Sequence, residues 1–154
     1  MAEALLIGRA DIVKFTAMNG SVDTDSFIQW IKTAQDIRIQ NYLGTDLFEK
    51  IQADIINAHI KPMLIHWAMV EYLPFAAYTI ANKGVFKHSA ENAENVSKDE
   101  VDYLVEKERD LAQYYTERFI SYMSFNNTLF PEYRTNTNDD INPSYDSSFS
   151  GWVL

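Results

Sequence analysis

Cysteine is absent from this 154-residue chain. That excludes a disulfide framework, a thiolate metal site and a cysteine nucleophile. Histidine is scarce, with His59, His66 and His88 the only imidazoles. His59 and His66 are two helical turns apart, but Pro62 stands between them and no carboxylate repeats at ligand spacing, so no metal and no cofactor is expected. With five glycines and four prolines, the chain has no phosphate-cradling glycine loop and no G-x-S-x-G, and no Ser and His are spaced with an orienting third group. The expectation is a protein that is not an enzyme. Positive charge is also in short supply: 13 Lys and Arg stand against 22 Asp and Glu, for a net charge of −9. No basic cluster is present to displace counterions from a phosphate backbone, which argues against nucleic acid as an attractive ligand. Long apolar runs are missing too. The nearest, Met63 to Ala81, contains His66, Glu71 and Pro74, which are costly in lipid, so no membrane association is expected. The opening "MAEALLIGRADIVKF" lacks the basic leader and long apolar core of a secretory signal, which leaves the cytoplasm as the expected place of synthesis.

What is abundant is apolar and aromatic residues, 47% and 14% of the chain. That suits one globular domain, assigned to residues 1–125, followed by a tail over 126–154. "GRADIVKFT" predicts a short first helix. Asp23 or Thr24 then caps a second, with Phe27, Trp30, Ile31, Ala34 and Ile37 on one broad face, ending at "NYLG" where Gly44 takes a left-handed corner. Thr45 is expected to cap a third helix carrying Leu47, Phe48, Ile51 and Ile55.

The fourth helix is expected to start near Pro62 and, being apolar almost all round, to be central. It should kink near Val70 to Glu71 because of Pro74 and end at Gly84, with residues 85–96 as a loop. Ser97 and Glu100 form a capping box for the longest helix, about 38 Å. Its stripe comprises Val101, Leu104, Val105, Leu111, Ala112, Tyr115, Phe119, Tyr122 and Met123, broken only by Glu108. Glu71 and Glu108 are expected to pair with a basic partner or reach the surface, the alternative being a buried acid with a raised pKa. No stretch alternates long enough to make a sheet. The fold class is therefore all-α, a small bundle of four to five helices with a long extended C-terminal tail.

That tail contains no lysine and is rich in Asn, Ser and Thr, yet aromatics recur in it. Polar spacing around isolated aromatics suits a segment that stays extended and sets anchors into a partner. The expected docking residues are Phe130, Tyr133, Tyr145, Phe149, Trp152, Val153 and Leu154; the competing expectation is a tail that wraps its own domain.

The stretch "DSFIQWIKTAQDIRIQNYLGTDLFEKIQADI", with its Leu-Gly joint in "NYLGTDLFEKI", resembles the head–tail connector, or adaptor, proteins of tailed bacteriophages of the Bacteroidota-infecting and crAss-like type. The likeness covers roughly residues 5 to 125. It implies an all-helical subunit of a homo-oligomeric ring, commonly of twelve copies. Such a ring sits below the portal protein at the head–tail junction of the virion, extends the DNA channel and carries tail or further ring proteins. It implies no catalytic residue and no cofactor. Twelve copies at −9 would set on the order of a hundred negative charges around a channel, letting DNA pass without binding. The alternative is a monomeric acidic inhibitor, a DNA mimic that binds a basic partner. Asp102, Glu106 and Asp110 share a helix face as that reading requires, but Lys107 and Arg109 lie beside them.

Overall fold

The computed structural model describes residues 4–18, 20, 23–51, 55–87, 96–134 and 141–145. It is a small, mainly helical fold, as the apolar periodicity requires. Helix α1 spans Arg9–Phe15, and the Asp11 carboxylate accepts from the Gly8 N–H at 3.0 Å, placing negative charge at the positive end of the helix. Helix α2 spans Thr24–Ala34. Its cap is Asp23, whose carboxylate accepts from the Asp25 N–H at 3.1 Å.

From Ala34 the chain continues through a π turn, Gln35–Ile39, into one more α turn, α3, at Gln40–Leu43. The extra residue in a π turn rotates everything after it by about one position. Ile37, expected on the apolar face, is instead 55% exposed, while Ile39, Tyr42 and Leu43 are buried. The same turn holds a buried amide. Gln35 accepts from the Leu6 N–H at 3.0 Å and donates to the Ala4 carbonyl at 3.3 Å, so it pins the segment before α1 to the bundle. Helix α4, Thr45–Lys50, is shorter than expected, because Ile51 is extended.

A second π turn, Ile56–Ile60, leads into α5, Lys61–Tyr72. The α-helix thus begins at Lys61 with Pro62 in its first turn, as expected, and the π turn extends the helical run back before it. A proline inside a helix lacks one donor and presses on the preceding turn, and the wider π turn next to it gives room for the ring. Residues Met63 through Val70 are all buried. This is the central helix, packed against α1, α2 and α6. Its indole Trp67 donates to the Thr116 hydroxyl at 3.0 Å, which donates in turn to the Ala112 carbonyl at 2.7 Å.

Beyond Tyr72 the expectation of a kinked helix to Ala81 fails. Pro74 lies in a 3-10 turn, Leu73–Phe75, and the α-helix stops there instead of bending. A two-stranded antiparallel hairpin follows, β1 (Tyr78–Ala81) and β2 (Gly84–Lys87), in the register Tyr78↔Lys87 through Ala81↔Gly84 around Asn82 and Lys83. Part of the segment assigned to a loop is therefore β2. Four residues per strand is too short for alternation to stand out.

Helix α6, Lys98–Phe125, has 28 residues, about 42 Å. Its capping box is present: the Ser97 hydroxyl accepts from the Glu100 N–H at 3.3 Å and the Glu100 carboxylate accepts from the Ser97 N–H at 2.8 Å. Val105, Ala112, Thr116, Phe119 and Met123 face the core. Leu104 and Leu111, expected in that stripe, are exposed.

Candidate interaction surfaces

Two places carry the residues singled out from the sequence, the glycine corner and the polar pairs inside the bundle; a third, the outward faces of α6 and the hairpin, emerges from the structure.

At the corner, Gly44 has φ 75° and ψ 159°. The positive φ agrees with expectation, but the extended ψ differs from a left-handed helical cap. This region is open essentially only to glycine. Gly44 takes the N-cap position of α4 that Thr45 was expected to fill. The Thr45 hydroxyl accepts instead from the Gln40 side-chain amide and the Ile141 N–H, both at 3.3 Å. The Thr45 N–H donates to the Ile141 carbonyl at 3.0 Å, and the Ser144 N–H donates to the Asn41 carbonyl at 2.8 Å. Pro143, buried between these bonds, lies so close that a Cβ on Gly44 would meet its Cδ at 2.6 Å. Residues 141–145 therefore form a strap across the corner, secured by backbone hydrogen bonds.

The expected docking residues divide accordingly. Tyr133, only 1% exposed, belongs to the protein's own core, edge-on to Phe119 and to Tyr145. Its assignment to partner docking is corrected: the 3-10 turn Pro131–Tyr133 folds back onto α4, where Lys50 bridges Glu132 at 3.0 Å. The Tyr133 hydroxyl is buried without a hydrogen-bond partner among the described residues, and that burial, then the neighbouring Tyr145, pushes its pKa up to about 12. The Glu132 carboxyl is held below its ordinary range, first by its own backbone N–H and then by Lys50. Phe130 is half-buried against Tyr122. Tyr145 is exposed, although its hydroxyl donates to the Tyr133 carbonyl at 3.0 Å. Phe149, Trp152, Val153 and Leu154 lie outside the described residues.

Inside the bundle, Glu71 pairs with Arg38 at 3.4 Å, and the Arg38 guanidinium lies over the Trp67 ring at 4.4 Å. Glu108 meets His66 Nδ1 at 2.7 Å across α5 and α6, with Tyr115 stacked on the imidazole. Both carboxylates thus have the partners expected of them. A cavity of about 380 Å³ lies beside His66, lined also by Asp11, Asn57, Lys61 and Tyr115. Among the described residues that lining carries no serine, threonine or cysteine. His59 stacks on Tyr122, and burial, then Arg118, lowers its pKa. His88 lies outside the described residues. Among those residues no group of His, Asp and Glu could hold a metal ion, and no helix is long and apolar enough to cross a membrane.

The outward surfaces were not anticipated. Opposite its core face, α6 exposes Tyr103, Leu104, Leu111, Tyr114 and Phe125, the last at 88%. Lys107 and Arg118 lie over the Tyr103 and Tyr114 rings. Alongside runs a row of exposed acids, Asp99, Glu106, Asp110 and Glu117. A second exposed apolar surface is the hairpin, where Tyr78 and Val85 face solvent. The sequence signal was available: Tyr103, Tyr114 and Phe125 recur at helical spacing outside the core stripe.

A family model matches residues 24–143, that of a family of unknown function (DUF6712). No curated protein and no solved structure matches the chain.

Proposed function

Since the chain belongs to the family of unknown function DUF6712, we propose its role from its own residues: a structural virion protein, the subunit of a head–tail connector ring. The ring attaches below the portal protein, extends the DNA channel and carries tail or further ring proteins. The observation that carries this reading is the outer face of α6. A long helix that buries one face in its own core and leaves a second apolar and aromatic face open is suited to self-assembly. Resemblance of the α2–α4 region to phage adaptors supports it. So does the net charge of −9, which lets a channel wall pass DNA without gripping it.

The inhibitor reading is weakened by local neutralisation. Asp102 is bridged by Lys98 and Glu106 by Arg109, so the acids on α6 do not form a bare phosphate-like array. Phe149, Trp152, Val153 and Leu154, in the C-terminal arm of residues 146–154, remain the proposed anchors on the portal or a neighbouring subunit.

The test is the mass of the purified protein, alone and with portal protein, by sedimentation and electron microscopy. Symmetric multi-copy rings are expected in at least one condition. A monomer that binds one basic protein at low stoichiometry would overturn the reading. Removal of residues 146–154 should leave the helical signal and melting temperature unchanged while recruitment to the portal fails. Unchanged recruitment would exclude those residues as anchors.

A further inference from the structure

We propose that the β1–β2 hairpin of one copy docks on the outer face of α6 in the next copy, forming the contact that repeats around the ring. This rests on the ring reading above and specifies which two surfaces meet. Among the described residues, the substantial contacts of the hairpin strands are with each other. An isolated two-stranded hairpin is marginal in water and needs a further surface to lie on. Its register shows which residues it would present. Tyr78 pairs with Lys87, and Val85 lies two residues before Lys87, so all three share one face. Tyr78 is 50% exposed and Val85 64%. An aromatic ring, a branched aliphatic and a cation on one face call for an apolar surface bordered by acids.

The outer face of α6 has that composition. Tyr103, Leu111 and Tyr114 supply exposed apolar area, with Lys107 and Arg118 over two of the rings, and the row of Asp99, Glu106, Asp110 and Glu117 runs along its edge, Glu106 being bridged by Arg109. Charge favours the match. The segment from Tyr78 to Lys87 carries Lys83 and Lys87 and no acid, in a chain whose net charge is −9. A basic protrusion on an acidic protein is attracted to the acidic border of another copy, while most other pairings of surfaces place like charges together. The two surfaces are different parts of one subunit, so the contact is heterologous, and such contacts close into a ring by rotation. A second copy is therefore the occupant, in preference to an unrelated chain.

The test is charge reversal with complementation, read as the assembled fraction under conditions where the parent assembles. One variant carries Lys83→Glu and Lys87→Glu, another Glu106→Lys and Asp110→Lys, and a third all four changes. Each two-site variant alone should lose assembly at least ten-fold, because one of its docking surfaces now repels the other. Mixing the two should restore assembly, since every hairpin then meets a border of opposite sign. The four-site variant should assemble on its own. Its recovery separates a lost contact from a lost fold, and helical circular dichroism checks the fold of each. Because the chain lacks cysteine, a mixture of Val85→Cys and Leu111→Cys chains with parental charges gives an independent measure: a mixed disulfide dimer that neither forms alone.

If the parent assembles and folded two-site variants assemble equally well, the hairpin contact is wrong and the ring stands. If folded two-site variants assemble like the parent while removing residues 146–154 abolishes assembly without portal protein, the occupant of the α6 face is the C-terminal arm and the hairpin proposal falls. A parent that stays monomeric with and without portal protein overturns both readings.

Discussion

Gly44 and Gly84 both have positive φ, 75° and 130°, yet they sit in opposite surroundings. Around Gly44 the chain closes on itself: Pro143 fills the space a side chain would need, and the strap of residues 141–145 is hydrogen-bonded to Asn41 and Thr45. Around Gly84 no described residue lies within 4 Å of where a Cβ would be, and the hairpin it belongs to exposes Tyr78 and Val85. The corner is internally satisfied; the hairpin still has apolar surface to bury. Stability should therefore depend on the first region and association on the second.

The largest expected effect comes from exchanging the two glycines for larger residues. Gly44→Val should cost about 3 kcal/mol or more, combining a glycine-only conformation with a clash against Pro143. Gly84→Val should cost about 1 kcal/mol, from backbone strain alone. Denaturant melts of both variants check this, and equal losses would break the contrast between the regions. Pro143→Ala in the Gly44→Val background should recover part of the loss, a coupling that the double-mutant cycle measures directly.

Next in size is removal of the strap. A chain ending at residue 140 loses the acceptor of the Thr45 N–H and the donor to the Asn41 carbonyl, and exposes the surface under Pro143. It should be destabilised by about 2 kcal/mol. Replacing the hairpin, residues 78–87, with a short Gly-Ser linker should lower body stability by less than about 1 kcal/mol, because among the described residues the strands' substantial contacts are with each other. Reversed magnitudes would mean that the hairpin, not the strap, supports the bundle.

Smaller effects sharpen the account of Tyr133 and Tyr145, the aromatic pair that backs the strap. Tyr133→Phe removes a buried hydroxyl that has no partner among the described residues, so it should be neutral or stabilising by up to about 1 kcal/mol. Tyr145→Phe loses a bond to the Tyr133 carbonyl and should cost about 0.5–1 kcal/mol. The raised Tyr133 pKa adds a signature at alkaline pH. Between about 10 and 12 the unfolded chain releases this proton while the folded chain keeps it, so stability falls as pH rises through that window. Tyr133→Phe should flatten that part of the curve.

The smallest effect is acidic. The His59 pKa is lowered by burial and by Arg118, so below its ordinary value of 6.5 the unfolded chain takes up a proton more readily than the folded one. The contribution of His59 is fully present above that pH and declines as pH falls through the window. His59→Gln should reduce the slope of melting temperature against pH between 5 and 7, and an unchanged slope would show that His59 does not contribute.

The sequence by itself determined the features that depend on local chemistry. Asp23 and the Ser97–Glu100 box begin helices because short polar side chains satisfy backbone donors a few residues away. The apolar run from Met63 to Val70, interrupted only by His66, made α5 central, and the positive φ of Gly44 followed from a glycine between two helical segments. What failed locally was phase and length. A π turn adds one residue to the helical count without a distinctive composition, so the change from Ile37 to Ile39 as the buried residue was not legible. Strands as short as β1 and β2 have too few residues to show a period of their own. Only the tertiary structure decided the fate of the tail. Whether Tyr133 and Pro143 turn inward depends on a groove built by α3, α4 and α6, elements separated from it in sequence, and on donors at Thr45 and Ser144 that become aligned only when the corner has formed. The outer face of α6 belongs to the same class. Tyr103 and Tyr114 have the spacing of a buried helix face, and they remain outside because α5 occupies one side of a helix that has apolar residues on two.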